Sequence, residues 1–181
     1  MKQNVTEVIF ILDRSGSMSG LESDTIGGFN SMIKKQREVE GNVKVSTVLF
    51  NHRSVVLHNR LDISKVKEMH VSDFEVSGTT ALLDAVGRSI RKIKRIYCDT
   101  LKEDRPKKVV FIITTDGMEN SSNEFTYPTL KKSIEKVKEE YGWEFLFLGA
   151  NIDSVKEASR MGIQEERAVR YKADEQGTRK N

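Results

Sequence analysis

The sequence of 181 residues has only one cysteine, whereas small secreted proteins are often rich in paired cysteines. A lone cysteine, Cys98, cannot form an internal disulfide, so the fold does not depend on an oxidising compartment. No apolar stretch approaches the roughly 20 residues of a membrane span. Near the N-terminus, Glu7 interrupts the apolar run 5–12 and no small-residue cleavage site follows, so we expect no signal peptide. These absences predict a cytoplasmic protein that does not contact the membrane.

Positive and negative charges are nearly balanced, since the chain has 30 Lys and Arg residues and 27 Asp and Glu residues. The net charge of +3 is too small to indicate a nucleic-acid partner. With 37% hydrophobic and 31% charged residues the composition is that of a folded globular chain. Its length predicts one domain, which we assign to residues 1–171. The polar stretch 172–181 is interpreted as a tail, either disordered or truncated.

Short apolar runs rich in β-branched residues alternate with helical patterns along the chain, which predicts a doubly wound α/β fold of Rossmann-like type. The turn at 51–53 joins the strand 43–50 to a short antiparallel partner, 54–57. The sheet is therefore expected to be mostly parallel with one antiparallel edge strand, and helices are expected on both faces. Thr126 and Asp153 are predicted to cap the two last helices. The other predicted strands are 5–12, 107–114, 143–148 and 168–171.

Polar residues follow two predicted strands at their carboxyl ends, where open α/β sheets bind ligands. Asp13, Ser15 and Ser17 follow the first strand, and Asp116 follows the strand 107–114. The loop Gly78-Thr79-Thr80 precedes a helix and adds further hydroxyls. These side chains offer only oxygen atoms, with no His or Cys, and such a set favours Mg²⁺, Mn²⁺ or Ca²⁺ over Zn²⁺.

Three motifs in this order resemble the metal-ion-dependent adhesion site (MIDAS) of von Willebrand factor A domains and integrin inserted domains. They are Asp13-x-Ser15-x-Ser17, Gly78-Thr79-Thr80-Ala-Leu and Thr-Thr-Asp116-Gly, and the resemblance covers residues 5–171 approximately. It implies that Ser15, Ser17 and one threonine bind a divalent metal through their hydroxyls. It also implies that Asp13 and Asp116 bind it directly or through water. We assign the threonine to Thr80, because the family threonine directly precedes an Ala-Leu run into the helix.

The resemblance implies a binding module in which the metal takes a Glu or Asp carboxylate from a partner protein. The runs Ile-Leu-Asp-Arg-Ser-Gly-Ser-Met and Thr-Asp-Gly-Met-Glu-Asn look like bacterial intracellular members of the family. Flanking cysteines of the extracellular adhesion members are missing, which argues against a role in adhesion. Two neighbours of the site receive no part in this interpretation: Arg14 is expected to be exposed, and Glu119 to lie in a solvated loop.

The alternative is a Mg²⁺-dependent phosphoryl-transfer enzyme of the haloacid dehalogenase type, which also begins with a strand ending in Asp. That class needs a second acid two residues later, and here that position is Ser15. No Gly-rich phosphate loop and no activated nucleophile is evident, so we predict a protein without catalytic activity. A basic run around Arg91 and Arg95 is interpreted as a solvated helix face rather than a surface for nucleic acid or an acidic partner.

Overall fold

The computed structural model describes residues 4–116, 118–149, 152–164 and 168–170. The strands in these ranges are β1 (Val5–Asp13), β2 (Asn42–Phe50), β3 (Ser54–Asp62), β4 (Lys108–Thr115), β5 (Glu144–Gly149) and β6 (Ala168–Arg170). The helices are α1 (Glu22–Arg37), α2 (Leu82–Asp99), α3 (Tyr127–Tyr141) and α4 (Ile152–Arg160). None of these helices has both the length and the apolar content that crossing a membrane would require.

The six strands form one sheet in the order β3-β2-β1-β4-β5-β6. The β2–β3 pair is antiparallel, and the other pairs are parallel. The predicted fold class is therefore confirmed. Within the plane of the sheet, the chain moves outwards from β1 to β2 in one direction and from β4 to β5 in the opposite direction. This reversal opens a crevice between the carboxyl ends of β1 and β4, which is where ligands bind in folds of this kind.

Helices cover the sheet on both faces because the central strands are apolar on both sides. Along β1, Phe10 faces α1 and contacts Phe29 edge to face, with ring centroids 4.9 Å apart. Its neighbours Ile9 and Ile11 face the opposite side, where α2, α3 and α4 pack. The middle of the sheet is thus fixed by two cores, which gives the crevice a rigid base.

The edge strand β3 is longer than predicted, since it runs to Asp62 rather than to residue 57. Its second half reads as polar, and the pairing with β2 is irregular around Thr47. There Arg60 adopts a positive φ of 48° and reaches the buried carboxylate of Glu7 at 2.5 Å. The second half of β3 has the sequence of a loop, and this ion pair helps to hold it in the sheet. Sequence periodicity does not reveal such an ion pair.

Of the two predicted helix caps, one is confirmed and the other is wrong. The Thr126 hydroxyl accepts a hydrogen bond from the Thr129 N–H at the start of α3, as a cap does. Asp153, in contrast, lies inside α4, which begins at Ile152. An acidic residue in the first turn still interacts favourably with the helix dipole. Of the predicted last strand, residue 171 lies outside the described residues, as does the tail 172–181.

Candidate metal centre

Asp13 ends β1 at the crevice, and both of its carboxylate oxygens accept hydrogen bonds. It is fully buried, with 0% of its surface exposed. One carboxylate oxygen accepts the Ser15 N–H at 2.7 Å, and the other accepts the Thr115 hydroxyl at 2.6 Å. The orientation of Asp13 is therefore set before any ligand arrives.

Asp116 comes from the neighbouring strand and lies near Asp13. Leu12 is in register with Thr114, so the residue after β4 emerges beside the end of β1. Burial raises the pKa of Asp116, and the negative charge of Asp13 raises it further. The two carboxylates thus repel one another across the crevice, and a cation between them would relieve that repulsion.

The two serines of the first motif lie in the short helical turn Gly16–Met18 and its entry. Ser15 is buried and Ser17 is exposed, and their hydroxyl oxygens are 3.0 Å apart. Met18 is fully buried and anchors the turn on the core. The turn therefore presents a pair of neighbouring hydroxyls next to the Asp13 carboxylate.

The two adjacent threonines have different environments. Thr80 is 3% exposed, and its N–H and carbonyl are both bound to Asn120 at 2.9 Å. Thr79 is exposed, and its hydroxyl donates to Ser121. A buried threonine on a doubly bound backbone is better held as a ligand than an exposed one. The assignment of the metal-binding role to Thr80 remains a prediction.

Gly78 joins the threonine loop to the serine loop. Its carbonyl accepts the Gly16 N–H at 2.9 Å. Its φ of +79° is unfavourable for any other residue, and a Cβ placed on it would lie 2.4 Å from His52 Nδ1. The Asn51 side chain completes this junction by donating to the Ser77 carbonyl at 2.9 Å. Glycine at position 78 is thus needed for the two hydroxyl-bearing loops to meet.

Glu119 does not lie in a solvated loop, and that expectation is wrong. Its carboxylate accepts the Leu83 N–H at the start of α2 at 3.0 Å. It also accepts the N–H groups of Ser121 and Ser122, both at 2.8 Å. Glu119 therefore caps α2 and its own loop together, satisfying N–H groups that a helix start leaves free.

Asp84 on α2 makes the same kind of contact in the opposite direction. Its buried carboxylate accepts the N–H groups of Asn123, Glu124 and Phe125, at distances from 2.8 to 3.0 Å. We call Glu119 and Asp84 the reciprocal clamp. It ties the loop after Asp116 to the helix after Thr80, so two predicted ligands from distant segments belong to one unit. The position of Asp84 in the first turn of α2 is a sequence feature that could have indicated a role at the start of this helix. The sequence around Glu119 has no feature that indicates its contact with α2.

Arg14 is partly buried, which corrects the expectation that it is exposed. Its N–H donates to the Phe50 carbonyl at 2.6 Å, and its carbonyl accepts the Ser77 N–H at 2.9 Å. The side-chain Nε is buried without a hydrogen-bond partner. The backbone of Arg14 thus links β1 to the two neighbouring loops, while its guanidinium is left incompletely satisfied.

The donor set fits a hard divalent cation. Within the described ranges, no three or more His, Cys, Asp or Glu side chains are grouped so that they could hold a metal. A metal at the crevice would therefore need hydroxyl ligands beside Asp13 and Asp116. Carboxylate and hydroxyl oxygens suit Mg²⁺, Mn²⁺ or Ca²⁺, whereas Zn²⁺ prefers nitrogen and sulfur.

No family model matches the chain, and no curated protein matches it. Solved structures do match. A von Willebrand factor type A protein from Catenulispora acidiphila aligns with 99% of the chain at a TM-score of 0.64 and 16% identity. The chain has the von Willebrand factor A fold. The ArnB paralog VWA2 from Sulfolobus acidocaldarius has the same fold, with 98% of the chain covered, a TM-score of 0.63 and 13% identity.

A third structure with this von Willebrand factor A fold is proximal thread matrix protein 1 of the mussel byssus, with a zinc-occupied MIDAS motif. It covers 92% of the chain at a TM-score of 0.59 and 16% identity. The chain spans only 42%, 44% and 41% of the lengths of these three proteins. At identities this low, the structural similarity shows the common fold alone.

Proposed function

We propose that this chain is a divalent-metal-dependent module that binds an acidic residue of a partner protein. The metal, Mg²⁺ or alternatively Mn²⁺ or Ca²⁺, would be held by Asp13, Ser15, Ser17, Thr80 and Asp116. The observation that carries the proposal is the pre-oriented Asp13 carboxylate beside Asp116, whose pKa it raises. The zinc-occupied MIDAS of the mussel protein supports the proposal by analogy of fold.

The coordination of a metal at this site supports a carboxylate as the group that is recognised. Asp13 and Asp116 supply at most two negative charges, and the hydroxyl ligands supply none. Two aspartates bring the formal charge of a divalent site to zero, but an ion held partly through water keeps open coordination positions, as Mg²⁺ sites commonly do. A Glu or Asp of a partner would fill such a position and bond directly to the metal. Such a charge-assisted contact can dominate a small interface.

The proposed location is the cytoplasm of a bacterium, as for the intracellular proteins that the motifs resemble. Cys98 supports this location because it is exposed and free. An exposed free thiol is stable in a reducing compartment, whereas secreted proteins usually pair their cysteines.

We propose a binding role rather than catalysis because the residue two positions after Asp13 is a serine. A phosphoryl-transfer enzyme of the alternative class needs an acid there to protonate the leaving group, and the buried hydroxyl of Ser15 cannot do this. The chain should therefore not hydrolyse p-nitrophenyl phosphate in the presence of Mg²⁺. Turnover that is abolished in Asp13→Ala would favour a phosphoryl-transfer enzyme instead.

Metal-dependent capture of a partner tests the proposal. Immobilised wild type is incubated with cell extract in Mg²⁺ or in EDTA, and bound proteins are identified by mass spectrometry. The same is done with Asp13→Ala and with Asp104→Ala, an exposed aspartate just before β4 at the opposite edge of the sheet. A partner retained by wild type and Asp104→Ala in Mg²⁺ only is expected. A partner that binds equally well in EDTA and to Asp13→Ala would place the interface elsewhere.

A further inference from the structure

Most arginine side chains in the described ranges have a partner within the chain. Ion pairs, carbonyl hydrogen bonds or aromatic contacts engage Arg37, Arg60, Arg88, Arg91, Arg105 and Arg160. In that part of the structure the side chains of Arg14, Arg53 and Arg95 make no such contact. Arg14 and Arg53 both lie on loops at the carboxyl edge of the sheet, beside the candidate metal centre.

Arg14 is the more constrained of these two cations. It lies between two predicted metal ligands, Asp13 and Ser15, and its backbone is fixed by hydrogen bonds on both sides. Its buried Nε has no acceptor. A buried donor without an acceptor is unfavourable, and a turn of the partly exposed side chain towards an incoming anion would relieve this cost. The structure thus keeps an unsatisfied guanidinium donor next to the position where a partner carboxylate is proposed to bind.

Arg53 lies in the β2–β3 turn, which is held in one conformation. The Arg53 N–H donates to the Asn51 side chain at 2.9 Å, and the Asn51 N–H donates to the Arg53 carbonyl at 2.9 Å. The turn begins directly after Phe50, whose carbonyl accepts the Arg14 N–H. The two arginines are therefore carried by adjoining segments on the β2 side of the crevice.

The basic surface of α2 does not offer a comparable site. Arg88 and Arg91 both pair with Glu124, at 2.8 and 2.6 Å, so that their charge is partly neutralised within the chain. Arg95 is exposed on the same helix and makes no such contact within the described residues, but it lies near the end of α2 that is far from Thr80. Arg95 is therefore a suitable matched control for the two arginines at the crevice.

We propose that Arg14 and Arg53 bind a second carboxylate of the partner segment whose first carboxylate the metal takes. The partner is thus an acidic peptide segment with two Asp or Glu residues in reach of one another. This inference rests on the proposed function. A guanidinium binds a carboxylate through two parallel N–H donors, which gives directional recognition that a surface lysine does not give. The metal would set affinity, and the arginines would select doubly acidic segments.

The test compares synthetic Gly/Ser peptides that carry one Glu with peptides that carry two Glu residues at increasing separation. Binding to the full chain in saturating Mg²⁺ is followed by NMR shift perturbation. The measured quantity is the ratio of the best two-Glu affinity to the one-Glu affinity. We expect a ratio of about three- to ten-fold for wild type and Arg95→Gln, falling towards one in Arg14→Gln and in the double variant with Arg53→Gln.

The ratio is taken within each variant, so a general change in metal loading does not affect it. A wild-type ratio near one, or one that persists in the Arg14→Gln and double variants, overturns the arginine site while leaving the metal-dependent module intact. Absence of Mg²⁺-dependent binding of every peptide, in a protein that titrates with Mg²⁺, overturns both this inference and the proposed function.

Discussion

Replacing Glu119 with Gln tests whether the reciprocal clamp positions the metal ligands. The Glu119 carboxylate binds three backbone N–H groups, of Leu83, Ser121 and Ser122. Glutamine keeps one acceptor oxygen, but its amide group would face donors where a carboxylate oxygen now accepts. The start of α2 and the loop after Asp116 should therefore separate locally, and the predicted ligands at their ends should lose their fixed relation.

The size of the effect depends on the bonds that are lost. A hydrogen bond to a charged group contributes about 1.5–3 kcal/mol. Because the site is only partly buried and one acceptor remains, we expect the free energy of unfolding to fall by about 2–3 kcal/mol. That corresponds to a Tm lower by about 5–10 °C for a domain of this size. Mg²⁺ affinity should fall about ten-fold, which is the lower end for residues that position metal ligands.

Glu124→Gln is the matched control, because it makes the same chemical change in the same loop. Glu124 pairs only with the exposed side chains of Arg88 and Arg91. Surface ion pairs contribute little to stability, so both Tm and Mg²⁺ affinity should stay close to wild type. Differential scanning fluorimetry without metal gives Tm, and isothermal titration with Mg²⁺ gives affinity. If Glu119→Gln behaves like Glu124→Gln in both assays, the clamp does not position the site.

Three further predictions concern ligands and pH. Asp13→Ala should abolish Mg²⁺ binding in calorimetry and Asp116→Ala only weaken it, because Asp13 also orders the serine loop through its hydrogen bond to the Ser15 N–H; intact binding by Asp13→Ala would refute the site. Thr80→Ala should weaken Mg²⁺ binding and Thr79→Ala should not, whereas the reverse result would shift the assignment by one residue. Burial lowers the pKa of His58 below its ordinary 6.5, although the charge of Asp73 opposes the shift. The unfolded chain therefore takes up a proton first as the pH falls, so stability present above about pH 6.5 should be lost below it. Thermal melts between about pH 7.5 and pH 5.5 should show a larger drop in Tm for wild type than for His58→Gln, and equal drops would contradict this assignment.

The fold was predictable because its central strands are buried on both faces and therefore read as apolar runs. The run 107–114, for example, becomes β4 with a shift of one residue. The second half of β3 was not predictable in this way, since the ion pair of Arg60 with Glu7 joins residues 53 positions apart. Hydrophobic periodicity carries no information on such a contact.

The candidate site was predictable in its location and only partly in its contacts. Strand ends bring Asp13 and Asp116 together because parallel neighbours end at the same edge of the sheet. The role of Glu119 was missed because its acceptor contact at Leu83 is 36 residues away in sequence. The Thr115 hydroxyl was missed because a threonine at a strand end is ordinary for a β-strand. The metal ligands themselves stay a prediction.

The hydrogen bond from Thr115 to Asp13 has a consequence for folding kinetics, because it joins residues 102 positions apart. The two sides of the crevice meet only after β4 has docked on β1, and contacts of such long range form slowly. A metal that needs both sides would bind the finished sheet and not its precursors. It would then slow unfolding and leave the refolding rate unchanged, as expected for interactions absent from the transition state. Occupancy by metal would thus report that the central strands have paired.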